Sequence, residues 1–213
     1  MNGENRLIIP NWPAPKNVKS FITTRQGGQS KGCYDSFNLS FNVKDDPEHV
    51  KTNRIILNSL LPQKPSWLKQ IHGNRIVEAD KINNGDLGDG MYTASKNQVC
   101  AIMIADCVPV MFCNSDGSKI GLVHAGWRGI VNGILENLVD SLKFSGKDTI
   151  VYLGPRIGPT AFEIGPDLFK LITSQRSFQP NEILDHKKGK RFADLYAMIE
   201  NRLLIKGLDN IHK

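Results

Sequence analysis

The stretch "VPVMFCNSDGSKIGLVHAGWRGIVNGILENLVDSLKFSG" limits the fold more than any other part of this chain. "VPVMFC" and "KIGLVHA" are short apolar runs rich in β-branched residues, and "NSDGS" between them is a turn by composition. Ile130, Ile134, Leu135, Leu138 and Leu142 then recur at helical spacing, and Gly146 reads as the stop of one helix that begins near Arg128. Strands followed by an amphipathic helix require a sheet covered by helices.

The remaining segments fit that scheme. "VKSFITTRQGGQS" reads as a strand entering a glycine turn. "DDPEHVKTNRIILNSLLP" reads as a helix capped by Asp46, opened by Pro47 and stopped by Pro62, with Val50, Ile55, Ile56 and Leu60 on its apolar face. "SWLKQIHGNRIVEAD" gives two extended pieces around His72, "NNGDLGDG" a loop, and "QVCAIMIA" and "TIVYLGP" two strands. "GPDLFKLIT" and "DLYAMIENRLLIKG" are further helices, the second capped by Asp194 and stopped by Gly207. Strands and helices are mixed without βαβ alternation. The expectation is an α+β (mixed α/β) fold in one layered domain over 1–213, with mixed sheets covered by helices, and not a doubly wound sheet. A chain of 213 residues can bury a core without disulfides or a structural metal.

The net charge is +6, but lysine and arginine are scattered, and the one dense run, "HKKGKR" at 186–191, reads as a solvated loop. Without aromatic interleaving or a nucleic-acid-binding signature, nucleic acid is not an expected partner. A mild positive field suits an anionic substrate. There is no apolar run long enough for a membrane helix, and "MNGENRLIIPNWP" lacks the pattern of a signal peptide. The expected compartment is the cytoplasm. The four cysteines, Cys33, Cys100, Cys107 and Cys113, are then expected as reduced thiols, and no CxxC pair marks a zinc ribbon.

Cys107, His124 and His72 stand at the ends of apolar runs beside glycines, whereas His49, His186 and His212 lie in polar settings. A rigid strand end fixes a side chain while the glycine turn leaves room for a ligand. Three readings stay open. In the first, the trio is ordinary core. In the second, two imidazoles and a thiolate hold zinc with a fourth position free for water, the catalytic pattern. In the third, Cys107 is a nucleophile activated by His124 or His72, with Asp106 as orienting group or base. In "HAGWRG", Gly126 and Gly129 allow close backbone approach, and the following helix start and Arg128 suit an anion. Arg25 in "TTRQGG" is a similar glycine-flanked arginine. "GPRIGPTAFEIGPDLF" reads as a rigid loop, with Glu163 as a polar contact at a pocket wall.

Several blocks together resemble the YfiH family, also called the laccase-domain or multicopper polyphenol oxidase family. They are "TTRQGG", "SFNLSFNVKDDPEHVKTNR", "WLKQIHGNRIV", "ADCVPV", "HAGWRG" and "LGPRIGPTAFEIG". The resemblance runs from about residue 18 to at least 169. It implies a layered mixed α/β domain similar to the deamidating-toxin fold, and zinc held by His72, Cys107 and His124. It implies phosphorolysis of purine nucleosides (adenosine, inosine, guanosine, methylthioadenosine) together with adenosine deamination, so purine nucleosides and phosphate are the expected partners. On that basis Arg25, Asn38, Gly126 and Arg128 are candidates for phosphate and substrate contacts, and Asp106 for proton handling. The older family name implies copper and phenol oxidation instead, for which five histidines are few. A cysteine hydrolase using Cys107 and a non-catalytic metal module are two further readings. A monomer is the default expectation. This chain carries Thr160 and Ala161 where many relatives have cysteines. It stops at Lys213, where relatives continue with a further strand and a "SYRRDG"-like segment, so the resemblance leaves open a short protein or a fragment.

Overall fold

The computed structural model describes residues 7–144, 146–185 and 189–213. Part of the 186–191 basic run, His186 included, therefore lies outside the described residues. In chain order the elements are β1 (Leu7–Ile8), β2 (Ile22–Thr23), α1 (Pro47–Asn58), β3 (Ile76–Glu78), β4 (Gly90–Thr93), β5 (Val108–Asn114), β6 (Ile120–Ala125), α2 (Trp127–Val131), α3 (Ile134–Leu142), β7 (Thr149–Leu153), β8 (Glu163–Ile164), α4 (Pro166–Thr173), β9 (Ile183–Asp185), β10 (Arg191–Ala193), α5 (Leu195–Ile205) and β11 (Ile211–His212). Short 3-10 turns occur between them.

The fold is mixed α/β. A six-stranded sheet has the order β11-β7-β5-β6-β4-β3, with a two-stranded β1-β2 sheet and a three-stranded β8-β10-β9 sheet beside it. Its two outer pairs, β11–β7 and β4–β3, are parallel, and the inner pairs are antiparallel. The centre is the β5–β6 hairpin, as its two apolar runs and polar turn require. Val108, Val110 and Phe112 alternate toward one face, where they meet Leu135, Leu138 and Leu142 of α3 and Met198, Ile199 and Leu203 of α5 in one buried cluster. Met111 and Tyr152 point to the opposite face, onto Ile22, Trp12 and Ile104. Period-two alternation on β5 thus feeds two cores.

Four expectations are corrected. The helix expected from Arg128 to Gly146 is two helices: Gly133 adopts φ 84°, a left-handed conformation that ends α2 and lets α3 start in a new direction. Residues 98–105 form no strand, because side chains take their backbone groups. Gln70 accepts from the Met103 N–H at 2.7 Å and donates to the Met103 carbonyl at 2.8 Å. "GMYT", which follows the expected loop "NNGDLGDG" and overlaps its last glycine, is β4. The buried stripe of α1 is Val50, Asn53 and Leu57, while Ile55 and Leu60 are exposed. Asn53 belongs inside because its amide ties down loop 28–38, accepting from Gln29 N–H and donating to Ser30 Oγ and the Asn38 and Ser36 carbonyls. Asp46 and Asp194 cap α1 and α5 as the sequence predicts. Among the described residues no helix is long and apolar enough to cross a membrane.

Candidate metal centre

Strand pairing brings Cys107 and His124 together. β5 and β6 run antiparallel with Val108 opposite Ala125 and Pro109 opposite His124. Continuing that register by one residue sets Cys107 opposite Gly126. The fit is tight: a Cβ on Gly126 would stand 2.9 Å from Cys107 Sγ and 3.2 Å from His72 Cδ2. Gly126 is required because any side chain would enter the space the donors share.

His72 arrives from the loop before β3. The donor atoms of His72, Cys107 and His124 all lie within 4.8 Å of one another. The two imidazoles meet edge to face with centroids 4.7 Å apart. Tetrahedral zinc, with bonds of about 2.0–2.3 Å, places its donors about 3.3–3.8 Å apart. The trio therefore fits such an ion with a small contraction. Burial grades from His124 through half-buried Cys107 to exposed His72, so one side of the cluster faces solvent.

What holds the cluster is Asp89, a fully buried carboxylate. Its Oδ1 lies 2.9 Å from His124 Nδ1 and accepts from the His72 N–H at 2.9 Å. Its Oδ2 accepts from the Ile71 and Gly73 amides at 3.1 and 2.8 Å. The Asp89 carbonyl also accepts from the His124 N–H at 2.7 Å. One residue thus fixes both histidines: the Asp89 bond holds the proton on His124 Nδ1 and leaves Nε2 for an ion. The three amides also hold His72 at φ 57°, a backbone conformation costly for a side chain with a Cβ.

Electrostatics follow from these contacts. Burial alone would raise the Asp89 pKa and lower that of His124. The bonds from His124 and the three amides outweigh it and hold Asp89 below its usual range. Asp89 and Cys107 together carry His124 to about 9. Desolvation, helped by the charges of His124 and Arg128, keeps His72 below its ordinary value.

The remaining sequence candidates are distributed around this centre. Asp106 is exposed at the bend before β5. Its carbonyl accepts from Ile157 N–H, and its carboxylate has no hydrogen-bond partner among the described residues. Arg128 stacks over Trp127 with its guanidinium carbon 4.1 Å from the ring centroid. Gly129 makes its close approach to the protein itself, since a Cβ there would meet the Gly73 carbonyl at 2.8 Å. Arg25 is exposed, with Nε donating to the Asp35 carbonyl at 2.6 Å. Asn38 uses its amide on Ser40 and on Asp45 Oδ2. Glu163 lies on β8 and pairs with Lys190. His49 and His212 are half-buried and stand outside the cluster.

Asp89 is the functional residue that sequence reasoning misses, because "NNGDLGDG" has the composition of a loop throughout. The criterion that picks out His72, Cys107 and His124, a polar residue beside glycine at a strand end, applies equally to Asp89. It fails there only because "GMYT" is too short to register as a strand.

A layered mixed α/β fold with a three-donor arrangement able to hold a metal ion at the ends of β5 and β6 is the class of protein described to this point. The chain belongs to the family described as multi-copper polyphenol oxidoreductase laccase, whose model matches residues 19–213, and it is a member of the YfiH group within that description. It is 40% identical over 209 residues to a purine nucleoside phosphorylase of Pseudomonas aeruginosa, covering 98% of this chain and 86% of that one. It is 37% identical over 210 residues to the purine nucleoside phosphorylase YfiH of Escherichia coli, covering 97% and 86%. Among solved structures, a Neisseria meningitidis protein superposes with a TM-score of 0.91 at 37% identity, over 97% of this chain and 86% of that chain. YlmD of Geobacillus stearothermophilus superposes at 0.82 with 27% identity, over 92% and 80%.

Proposed function

We propose that this chain is a zinc-dependent purine nucleoside phosphorylase acting on adenosine, inosine, guanosine and methylthioadenosine, and that it also deaminates adenosine. The observation that carries the reading is the convergence of His72, Cys107 and His124 within 4.8 Å on a buried carboxylate that orients both histidines. The names of the Pseudomonas and Escherichia relatives supply the substrate class.

Zinc bound there supplies a Lewis acid and a water whose pKa falls toward about 7. The protein's own residues do the rest. Asp89 fixes His124 with Nε2 toward the donor cluster, and Gly126 keeps the space between the donors clear. In phosphorolysis a phosphate oxygen bonds to C1′ as the bond from C1′ to N9 breaks, and the purine takes up a proton as it leaves. Arg25, Arg128 and the backbone at Gly126 are the groups assigned to phosphate and ribose, and the Asn38 network holds the loop that carries Arg25. In deamination water adds at C6 and ammonia leaves, with Asp106 assigned to proton handling because its exposed carboxylate adjoins Cys107.

Zinc is favoured over copper by the donor set. Multicopper oxidation needs several ions, and the described residues give one cluster of three donors. The test is to incubate the zinc-loaded protein with adenosine, with and without phosphate, and to follow free adenine, inosine and hypoxanthine. Adenine release that requires phosphate, with inosine formed in its absence, supports the proposal. Phenol turnover with stoichiometric copper, or amide hydrolysis that survives chelation, would replace it by an oxidase or a cysteine hydrolase.

A further inference from the structure

A carboxylate aims the ring of His124, but none aims the ring of His72. Among the described residues no acidic side chain pairs with the His72 ring, which meets the His124 ring edge to face. The direction of the His72 side chain therefore rests on its backbone, which stands at φ 57°. Asp89 holds the amide side of that backbone, at Ile71, His72 and Gly73. A different set of groups, from the α2–α3 corner, holds the carbonyl side.

That corner exists because Gly133 takes φ 84° and breaks the helical run. A helix end leaves carbonyls without helical partners. Asn74 serves one of them: its Nδ2 donates to the Asn132 carbonyl, at the end of α2, at 2.6 Å. Asn137 of α3 returns the contact, its Nδ2 donating to the Asn74 carbonyl at 2.8 Å. Beside these bonds the loop lies directly on α2, since a Cβ on Gly129 would stand 2.8 Å from the Gly73 carbonyl. The same short helix starts from Gly126, the residue whose missing side chain leaves room for Cys107 Sγ. The two asparagines thus tie the loop of one donor to the element that follows the other two.

Both asparagines are exposed and line an open cleft of about 480 Å³. Truncating either leaves no buried void, so the bonds can be removed one at a time with the core intact.

We propose that Asn74 and Asn137 are positioning residues for His72. They fix its loop against the α2–α3 corner and so set how closely His72 approaches Cys107 and His124. The proposal rests on the metal reading of that trio, and neither asparagine touches the ion. The experiment is zinc affinity, measured by competition with a chromogenic chelator, for the parent protein, Asn74→Ala and Asn137→Ala, and for the same two changes placed on His72→Ala. Each single variant should bind zinc about three- to tenfold more weakly, the size of one net hydrogen bond. On His72→Ala, where the residue they position is gone, the same changes should alter affinity by less than about twofold. A general loosening of the fold would weaken binding by the same factor in both backgrounds, and that result would overturn the proposal. The two variants lie on different elements, so the test stands if one of them fails to fold. A parent protein without stoichiometric zinc would overturn the metal reading and this proposal with it. A zinc-loaded parent with unchanged affinity in both asparagine variants would sink the proposal alone.

Discussion

Asp89 Oδ1 stands 2.9 Å from His124 Nδ1 while the same carboxylate accepts three backbone amides of the His72 loop. Two histidines from distant segments are thereby oriented by one buried side chain. Replacing it by an amide removes the charge, and the new NH₂ opposes one of the donors it must face. Asp89→Asn is expected to weaken zinc binding by about 10- to 100-fold, the usual effect of removing an orienting partner. Competition with a chromogenic chelator measures it. Unchanged affinity would mean that Asp89 only holds the fold.

The shared space under Gly126 makes a steric prediction. A methyl group there meets Cys107 Sγ at 2.9 Å, and the neighbouring strand backbone cannot recede without breaking the β5–β6 register. Gly126→Ala should lower zinc content well below one per chain after purification while leaving the circular dichroism spectrum of the fold. Full zinc occupancy would show that the loop yields.

Metal binding should depend on pH in a defined direction. His124 without metal has a pKa of about 9, so at neutral pH an incoming ion must displace its proton. Affinity should climb as pH rises from 6.5 and level off above about 9, with protons released on binding at pH 7. Stability of the metal-free protein runs the opposite way. A raised histidine pKa contributes fully below the unfolded value near 6.5 and is lost as pH rises through about 9. Indicator-dye titration and thermal melts at several pH values read the two trends, and flat profiles would contradict the assigned Asp89–His124–Cys107 coupling.

Asn53 is a buried amide whose partners all belong to loop 28–38. Asn53→Ala leaves several of those groups unpaired, each costing about 1–3 kcal/mol if water cannot reach it. A loss of roughly 2–4 kcal/mol in urea unfolding is expected. A loss below about 0.5 kcal/mol would show that water replaces the amide.

Much of this is legible in sequence wherever one local signal decides the outcome. β5 and β6 follow from apolar runs, and the starts of α1 and α5 from Asp46 and Asp194. His72, Cys107 and His124 stand out by their strand-end settings, although the family resemblance is needed to join them. Segment 98–105 misleads because its strand-like composition is overridden by the distant side chain of Gln70. Asn53 occupies the face expected for Ile55 because a polar network outcompetes apolar burial, and periodicity carries no trace of that. Asp89 is missed because "GMYT" is too short to register as a strand, and its partners, 16 to 35 residues away, meet it only when β4 pairs with β6.

One zinc ion held by His72, Cys107 and His124 is expected to serve nucleoside cleavage. The most direct measurement is phosphate-dependent release of hypoxanthine from inosine by protein of known zinc content, compared with Cys107→Ala prepared in parallel. The parent protein should carry one zinc per chain and release hypoxanthine steadily, and the variant should lose both the zinc and at least 100-fold of the rate. Undiminished phosphorolysis in a folded, zinc-free Cys107→Ala protein would contradict it.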